Sequence, residues 1–178
     1  MSPTQSQNAA EGIDVDTSVV INVPPIEVFQ FWRALENFPR FMAHVKEVRK
    51  IGDNRHFWRV SGPVGTEFSW NTDVTAVDNG RRIAWASDKE SEIENRGEVS
   101  FEAVQDGTRV HVRLTYKPPA GIVGHAIATV LGMNPGQQMQ DDLKRCKTLL
   151  EDGFAKRGTE TNVEGQVRRD ESSRRSVH

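Results

Sequence analysis

The sequence predicts an α+β fold, a curved antiparallel sheet of about seven strands wrapped around a long C-terminal helix, with two short helices after the first strand. Apolar and polar residues alternate with period two through residues 45–116, and the turn signals Asp78-Asn79-Gly80 and Asp106-Gly107 fall between runs. Pro24-Pro25 and Pro118-Pro119 separate that run from helical stretches at either end. Met139, Leu143, Cys146 and Leu150 then recur at helical spacing, one apolar stripe facing one way. Helices at the ends of a strand run, and not between its strands, exclude a doubly wound parallel sheet.

Residues 13–23 are rich in Val and Ile, contain no breaker and read as the first strand. The two prolines end it and suit the first turn of a helix over 26–35, where Val28, Phe31, Trp32 and Leu35 share a face. A second short helix is expected around 38–42, and Trp32 should pack this helical pair against the end of the sheet. Strands follow over 45–51 and 55–61, the second turning His56, Trp58 and Val60 to one side. Residues 66–77 put Phe68, Trp70, Thr72, Val74 and Ala76 on one face and Glu67, Ser69, Asn71, Asp73 and Thr75 on the other, a sheet with one wet side. Ile83 and Trp85 turn inward from 82–87, and Val99, Phe101 and Ala103 from 97–104. Residues 108–116 direct Val110, Val112, Leu114 and Tyr116 inward, with His111 and Arg113 opposite. A short apolar helix is expected over 121–131. Asn134 as cap and Pro135 in the first turn then start the long helix, read over 135–155.

A chain of 178 residues suffices for one domain, placed at 13–157. Residues 1–12 and 158–178 are small and polar and read as disordered tails, the second locally basic through Arg168, Arg169, Arg174 and Arg175. A formal net charge of -2 speaks against a nucleic-acid partner. No apolar run approaches the roughly 18 residues of a membrane span, so no stable membrane insertion is expected. The N-terminus lacks the pattern of a secretory signal, and the expected location is the cytoplasm. The single Cys146 excludes an intrachain disulfide and a Cys/His zinc cluster. No metal or cofactor is expected, and the chain reads as a monomer or weak homodimer.

The four tryptophans, with Phe31, Phe41, Phe68, Phe101 and Tyr116, place more aromatic surface on the inward faces than packing requires, which points to a greasy cavity. Only the long helix can cover the concave sheet, and one helix does not fill such a concavity. From the strands the expected lining is Trp58, Val60, Phe68, Trp70, Thr72 and Trp85, then Val99, Phe101, Leu114 and Tyr116. From the helices it is Ile127, Leu131, Gln138, Met139 and Leu143. The short helix, flanked by Gly121, Gly124 and Gly132, is the segment expected to gate it.

Acid–base candidates are few. Of His44, His111 and His125, the last sits beside the cavity mouth, and His125 and Tyr116 are the candidate catalytic residues. Glu67, Asn71 and Asp73 lie on the wet face. Asp141, Asp142, Lys144 and Arg145 read as the solvated outer face of the long helix. Cys146, on the apolar stripe, reads as a small buried hydrophobe.

Five stretches carry a resemblance: VPPIEVFQFWRALENFPRFMAHVKEV at 23–48, GPVGTEFSWNTDVTAV at 62–77, RIAWAS at 82–87, ENRGEVSFE at 94–102 and LTYKPPAGIVGHAIATVLGMNPGQQMQDDLKRCKTLLE at 114–151. With their order, the chain resembles the polyketide cyclase/dehydrase branch of the START-like (SRPBCC, helix-grip) superfamily. The resemblance implies the helix-grip fold. The superfamily's functions range from aromatases and cyclases to ubiquinone-binding proteins, lipid carriers and hormone receptors, so fold alone does not select one. The expected function is binding of a hydrophobic small molecule, such as a lipid, quinone or polyketide-like compound, between sheet and long helix. A cyclase or dehydratase using the same cavity is the second expectation, and a protein-interaction module the third.

Overall fold

The computed structural model describes residues 12–62, 65–117 and 135–175. In chain order these form β1 (Ile13–Ile21), α1 (Pro25–Arg33), a 3₁₀ helix (Leu35–Arg40), β2 (Val45–Lys50), β3 (Arg55–Ser61), β4 (Glu67–Asp78), β5 (Arg82–Ser87), β6 (Glu94–Val104), β7 (Gly107–Lys117) and α2 (Pro135–Arg175). One antiparallel sheet of seven strands has the order β1-β7-β6-β5-β4-β3-β2. Strands β2 to β7 form a meander, and β1 closes on β7. The first two strands therefore occupy opposite edges, so the segment between them must cross the sheet.

That crossing explains where the short helices lie. Val28, Phe29 and Trp32 of α1, Leu35 and Phe38 of the 3₁₀ helix, and Phe41 beyond it are all buried. Trp32 is fully buried, its ring 5.1 Å from Phe38, 5.3 Å from Phe41 and 6.1 Å from Phe101. Phe29 meets Phe101 edge-on at 5.6 Å. These rings cover Val99, Phe101 and Val110 on β6 and β7 and fill one end of the concavity. Thr108 ties the crossing down, its hydroxyl donating to the Val23 carbonyl at 2.7 Å. The hairpin before it needs Gly107, where φ is 138° and a Cβ would stand 2.1 Å from the Ile21 carbonyl oxygen.

The strand faces follow a regular alternation except at two bulges. In β2, Val45 pairs with Val60 but Glu47 with Arg59, so Val45 and Val48 share a face. Val74 pairs with Trp85 but Ala76 pairs with Ala84, so β4 carries a bulge. Beyond it Val77, and not Ala76 as the alternation predicts, shares the face of Ile83. The wet face is cross-linked by charge: Arg55 donates to Asp73 at 2.9 Å and to Asp88 at 2.5 Å, and Arg82 to Glu98 at 3.0 Å.

Helix α2 grips the sheet with Leu143 and Cys146, both fully buried, and is tied to β1 by polar contacts. Lys147 Nζ donates to the Val20 carbonyl and the Asn22 amide to Glu151, each at 2.9 Å. The helix runs to Arg175, twenty residues past the end read from the sequence at 155. Extension of an existing helix is cheap compared with nucleation, and no proline interrupts it after Pro135. Thr159 and Thr161 hydroxyls donate to the carbonyls one turn back, at 3.1 and 3.0 Å. Residues 1–11 and the short helix expected over 121–131 lie outside the described residues.

His56, on the inner face of β3, is 5% exposed, and its Nδ1 has no hydrogen-bond partner among the described residues. Burial pulls its pKa below the ordinary 6.5, aided by Lys50 and opposed by Glu36 and the Asn54 backbone. The unfolded chain therefore binds a proton here at a pH where the folded one does not. The associated stability is present above pH 6.5 and is lost as pH falls towards the folded value. Thermal melts between pH 7.5 and 5.5 are expected to show falling stability, with a shallower pH slope in His56→Leu.

Candidate functional site

The crossing helices fill one end of the concavity, and α2 meets the sheet over the rest. Between them remains a cavity of about 180 Å³. Its floor is the paired indoles of β3 and β4. Trp58 and Trp70 stand directly opposite in the register, and their rings lie parallel, 6.4 Å apart with 5° between planes. Trp58 is held by its Nε1–H, which donates to Thr72 Oγ1 at 2.8 Å. Trp85, from β5, completes the aromatic wall by lying over Gly97. A Cβ at that glycine would stand 2.6 and 2.9 Å from the Trp85 ring atoms, so only glycine leaves the indole its place. Val60, Phe68, Val112 and Leu114 extend the apolar surface, and Tyr116 and Asn95, paired across β7 and β6, stand at its polar end.

The helical side of the cavity comes from Pro135, Gln138, Met139 and Asp142 of α2, and from Trp32, Phe38, Met42, His44 and Val45 of the crossing. Asp142 corrects the sequence reading. It lies not on the outer helix face but inside, 4% exposed. Its Oδ1 accepts from the Ala43 amide at 3.1 Å and from the Arg145 guanidinium, while Arg145 Nε donates to the Phe41 carbonyl at 2.9 Å. One Asp–Arg pair thus fastens α2 to the 41–43 segment that presents His44 to the cavity. Burial raises the Asp142 pKa, and the Ala43 amide, Arg145 and His44 oppose that rise. The spacing held the signal: Asp142 is three residues after Met139 and four before Cys146, on the buried stripe.

Three residues that line the cavity, Trp32, Trp70 and Tyr116, each carry a buried polar atom (Nε1, Nε1 and Oη) with no hydrogen-bond partner among the described residues. Burial pushes the Tyr116 hydroxyl up to about 12, so it remains a protonated donor. Burial likewise pushes the Cys146 thiol up to about 12, against a smaller opposing effect of the Trp32 indole, which leaves it a poor nucleophile. Among the described residues no group of three or more His, Cys, Asp and Glu side chains is arranged to hold a metal ion.

Of the residues expected to line a cavity, Trp58, Val60, Phe68, Trp70, Trp85, Leu114, Tyr116, Gln138 and Met139 stand on its wall. Thr72, Val99, Phe101 and Leu143 do not. Thr72 is spent on Trp58, Val99 and Phe101 lie in the core cluster with the helical crossing, and Leu143 is fully buried in it. His125, Ile127 and Leu131 lie outside the described residues. His111 stays on the wet face, 2.6 Å from Asp16. His44, Asp142, Ile93, Asn95 and Val15 are wall residues not expected from sequence.

A family model described as polyketide cyclase / dehydrase and lipid transport matches residues 21–144. The chain belongs to this family. An uncharacterised 17.2 kDa protein of Streptomyces lincolnensis is 28% identical over 148 residues, 83% of this chain and 93% of that one. The crystal structure of DR_A0006 from Deinococcus radiodurans is 36% identical, with a TM-score of 0.65 over 79% of this chain and 98% of its own. A START superfamily protein from Mycobacterium smegmatis, only 13% identical, shares the fold with a TM-score of 0.65 over 78% of this chain and 97% of its own. The helix-grip architecture is therefore the family's. No helix among the described residues is long and apolar enough to cross a membrane.

Asp142→Ala removes the acceptor for both the Ala43 amide and Arg145, so chemical denaturation is expected to show a loss of about 1–3 kcal/mol. Asp142→Asn, which can still accept from Ala43, should lose less.

Proposed function

We propose that the chain binds an apolar small molecule between the sheet and the first turns of α2. The observation that carries this reading is a cavity of about 180 Å³ whose wall is largely aromatic and apolar. Protein interiors keep few voids larger than a water molecule, and an apolar hole of about 180 Å³ is a cost unless something occupies it. Buried apolar ligand surface supplies affinity at roughly 25 cal/mol per Å² before association costs. The polar atoms at one end then orient what the indoles hold. The family description, which includes lipid transport, agrees with this reading. A small neutral fluorophore such as 1-aminonaphthalene is expected to bind one to one with blue-shifted emission. Leu114→Trp, which fills the cavity from β7, should weaken that binding at least tenfold while the far-ultraviolet dichroism stays unchanged. Unsaturable binding, or binding indifferent to the added ring, would overturn the reading.

His44 and Asp142 support a second reading, a cyclase or dehydratase. Both stand on the cavity wall, so one side chain can accept a proton from a bound poly-ketone and the other donate one of its own to an oxygen. The cavity would then also hold the chain in a reactive fold. His44→Ala is expected to abolish turnover of such a substrate while leaving its binding within about threefold. Loss of both together would return His44 to a packing role.

A further inference from the structure

An unpaired strand edge is a template for another strand, and both outer edges of this sheet are protected. β1 is covered by α2: Lys147 donates to its Val20 carbonyl, and Glu151 accepts from the Asn22 amide just beyond the strand. β2 is blunted by a bulge after Val45 and by Lys46, Arg49 and Lys50. A further edge opens inside the sheet. β4 pairs with β3 from Glu67 to Asp73 but with β5 only from Thr72 to Asp78, so Glu67 to Asn71 project past the end of β5. The chain leaves β5 there, turns through residues 88–93 and returns as β6.

Hydrogen-bond direction shows which groups this edge presents. Thr66 O accepts from Gly62 and Val74 N donates to Asn54, both on the β3 side, whereas Asn71 O accepts from Asp88 on the β5 side. Backbone groups alternate in direction along an antiparallel strand, so Glu67 and Ser69 turn their N–H and C=O away from β3. Among the described residues, no backbone group bonds to them on that side. Both residues are exposed, and no proline, lysine or bulge interrupts the run from Glu67 to Asn71. Ser69, Trp70 and Asn71 form one wall of an open groove, and the 88–92 turn forms the other. Arg55 fixes the base of that turn, with two hydrogen bonds to Asp88 at 3.0 and 2.5 Å.

We infer that β4 between Glu67 and Asn71 is a docking edge for a basic, extended segment of another protein, which adds as a strand beside β4 in this groove. Five extended residues span about 17 Å, the length of a short strand. Side chains of an added strand alternate between the outer face, beside Glu67, Ser69 and Asn71, and the face of Phe68 and Trp70. Charge names the occupant. Glu90 and Glu92 are exposed on the turn and unpaired among the described residues, and Glu67 meets Arg59 only at 3.7 Å. Lys89 is the one cation among the described residues that line the groove. A second copy presenting the same edge would set these carboxylates against their own kind, whereas lysines or arginines at alternate positions would meet them. Docking here needs no occupant in the cavity, although Trp70 borders both spaces.

The test is fluorescence polarisation of the full chain with a fluorescein-labelled Lys-Val-Lys-Val-Lys-Val-Lys peptide. Saturable binding is expected, at least tenfold tighter than that of the same peptide with glutamates in place of lysines. N-methylation of the lysines or of the valines removes the donors along one edge of the peptide. One of these two sets should weaken binding at least tenfold and the other less than threefold. Ser69→Pro removes an outward donor and leaves the ladder to β3 intact, and Glu90→Lys with Glu92→Lys reverses the charge of the turn. Each, checked for folding by dichroism, should weaken binding at least fivefold. In hydrogen exchange the Ser69 amide should be fast in the free chain and slowed by the peptide. Absence of saturable binding, tolerance of both N-methylated peptides or preference for the glutamate peptide would overturn the assignment. A Ser69 amide already slow in the free chain would overturn it by showing the edge covered. Self-association of the free chain that Ser69→Pro abolishes would overturn it in favour of a second copy.

Discussion

Strands β1 and β2 lie at opposite edges of one sheet although only the residues between Ile21 and Val45 separate them in sequence. That constraint organises the molecule. A connection of this length has to cross the concave side, and it can do so only by burying whatever it lays there. The crossing is accordingly rich in rings: Phe29, Trp32, Phe38 and Phe41. They pack against Phe101, Val99 and Val110 and close one end of the concavity. What the crossing does not reach is left to α2. The cavity is the space between those two coverings.

The boundary between packed core and open cavity runs through individual residues. Trp32 belongs to both, with its ring among the phenylalanines and one surface on the cavity wall. Phe38 likewise meets Trp58 edge-on at 5.4 Å. The Asp142–Arg145 pair sits at this boundary and fastens α2 to the end of the crossing through the Ala43 amide and the Phe41 carbonyl. Polar contacts in such a place hold a helix at one position over a sheet without filling the space beneath it. An apolar contact there would pull the helix inward, since burial rewards any closing of the gap. Gly97 acts in the same sense from the sheet, because its missing side chain lets Trp85 lie flat against the wall.

Much of this was legible along the chain, for reasons that belong to particular residues. Alternation from Phe68 to Val74 and from Val110 to Tyr116 named the inner face, because each strand keeps one side wet and a slip of one residue would bury Arg113 or Asp73. Prolines 24, 25 and 135 marked helix starts because the ring suits a first turn. The bulge at β4 escaped because alternation continues unbroken through Ala76 in sequence, and only pairing with β5 reveals the extra residue. The length of α2 escaped because a polar segment without an apolar stripe gives no helical period. Asp142 escaped because charge was read as exposure, although its spacing from Met139 and Cys146 placed it on the buried stripe.

The sequence by itself determined the fold class, the order of elements and the faces of the strands, since hydrophobic period and turn chemistry are local properties. It also named three of the four indoles that stand on the cavity wall, Trp58, Trp70 and Trp85, because inward-facing strand positions must meet wherever a sheet curves. Tertiary structure decided which inward residues are packed and which remain open. Val99 and Phe101 share the pattern of Leu114 and Tyr116, yet the crossing helices cover the first pair and leave the second. It also decided that the Trp58 indole N–H is satisfied while the Trp70 indole N–H and the Tyr116 hydroxyl have no partner among the described residues, because a hydrogen bond depends on the position of a partner on another strand. Such positions are set by the register and the curvature of the whole sheet, and no local stretch of sequence contains them.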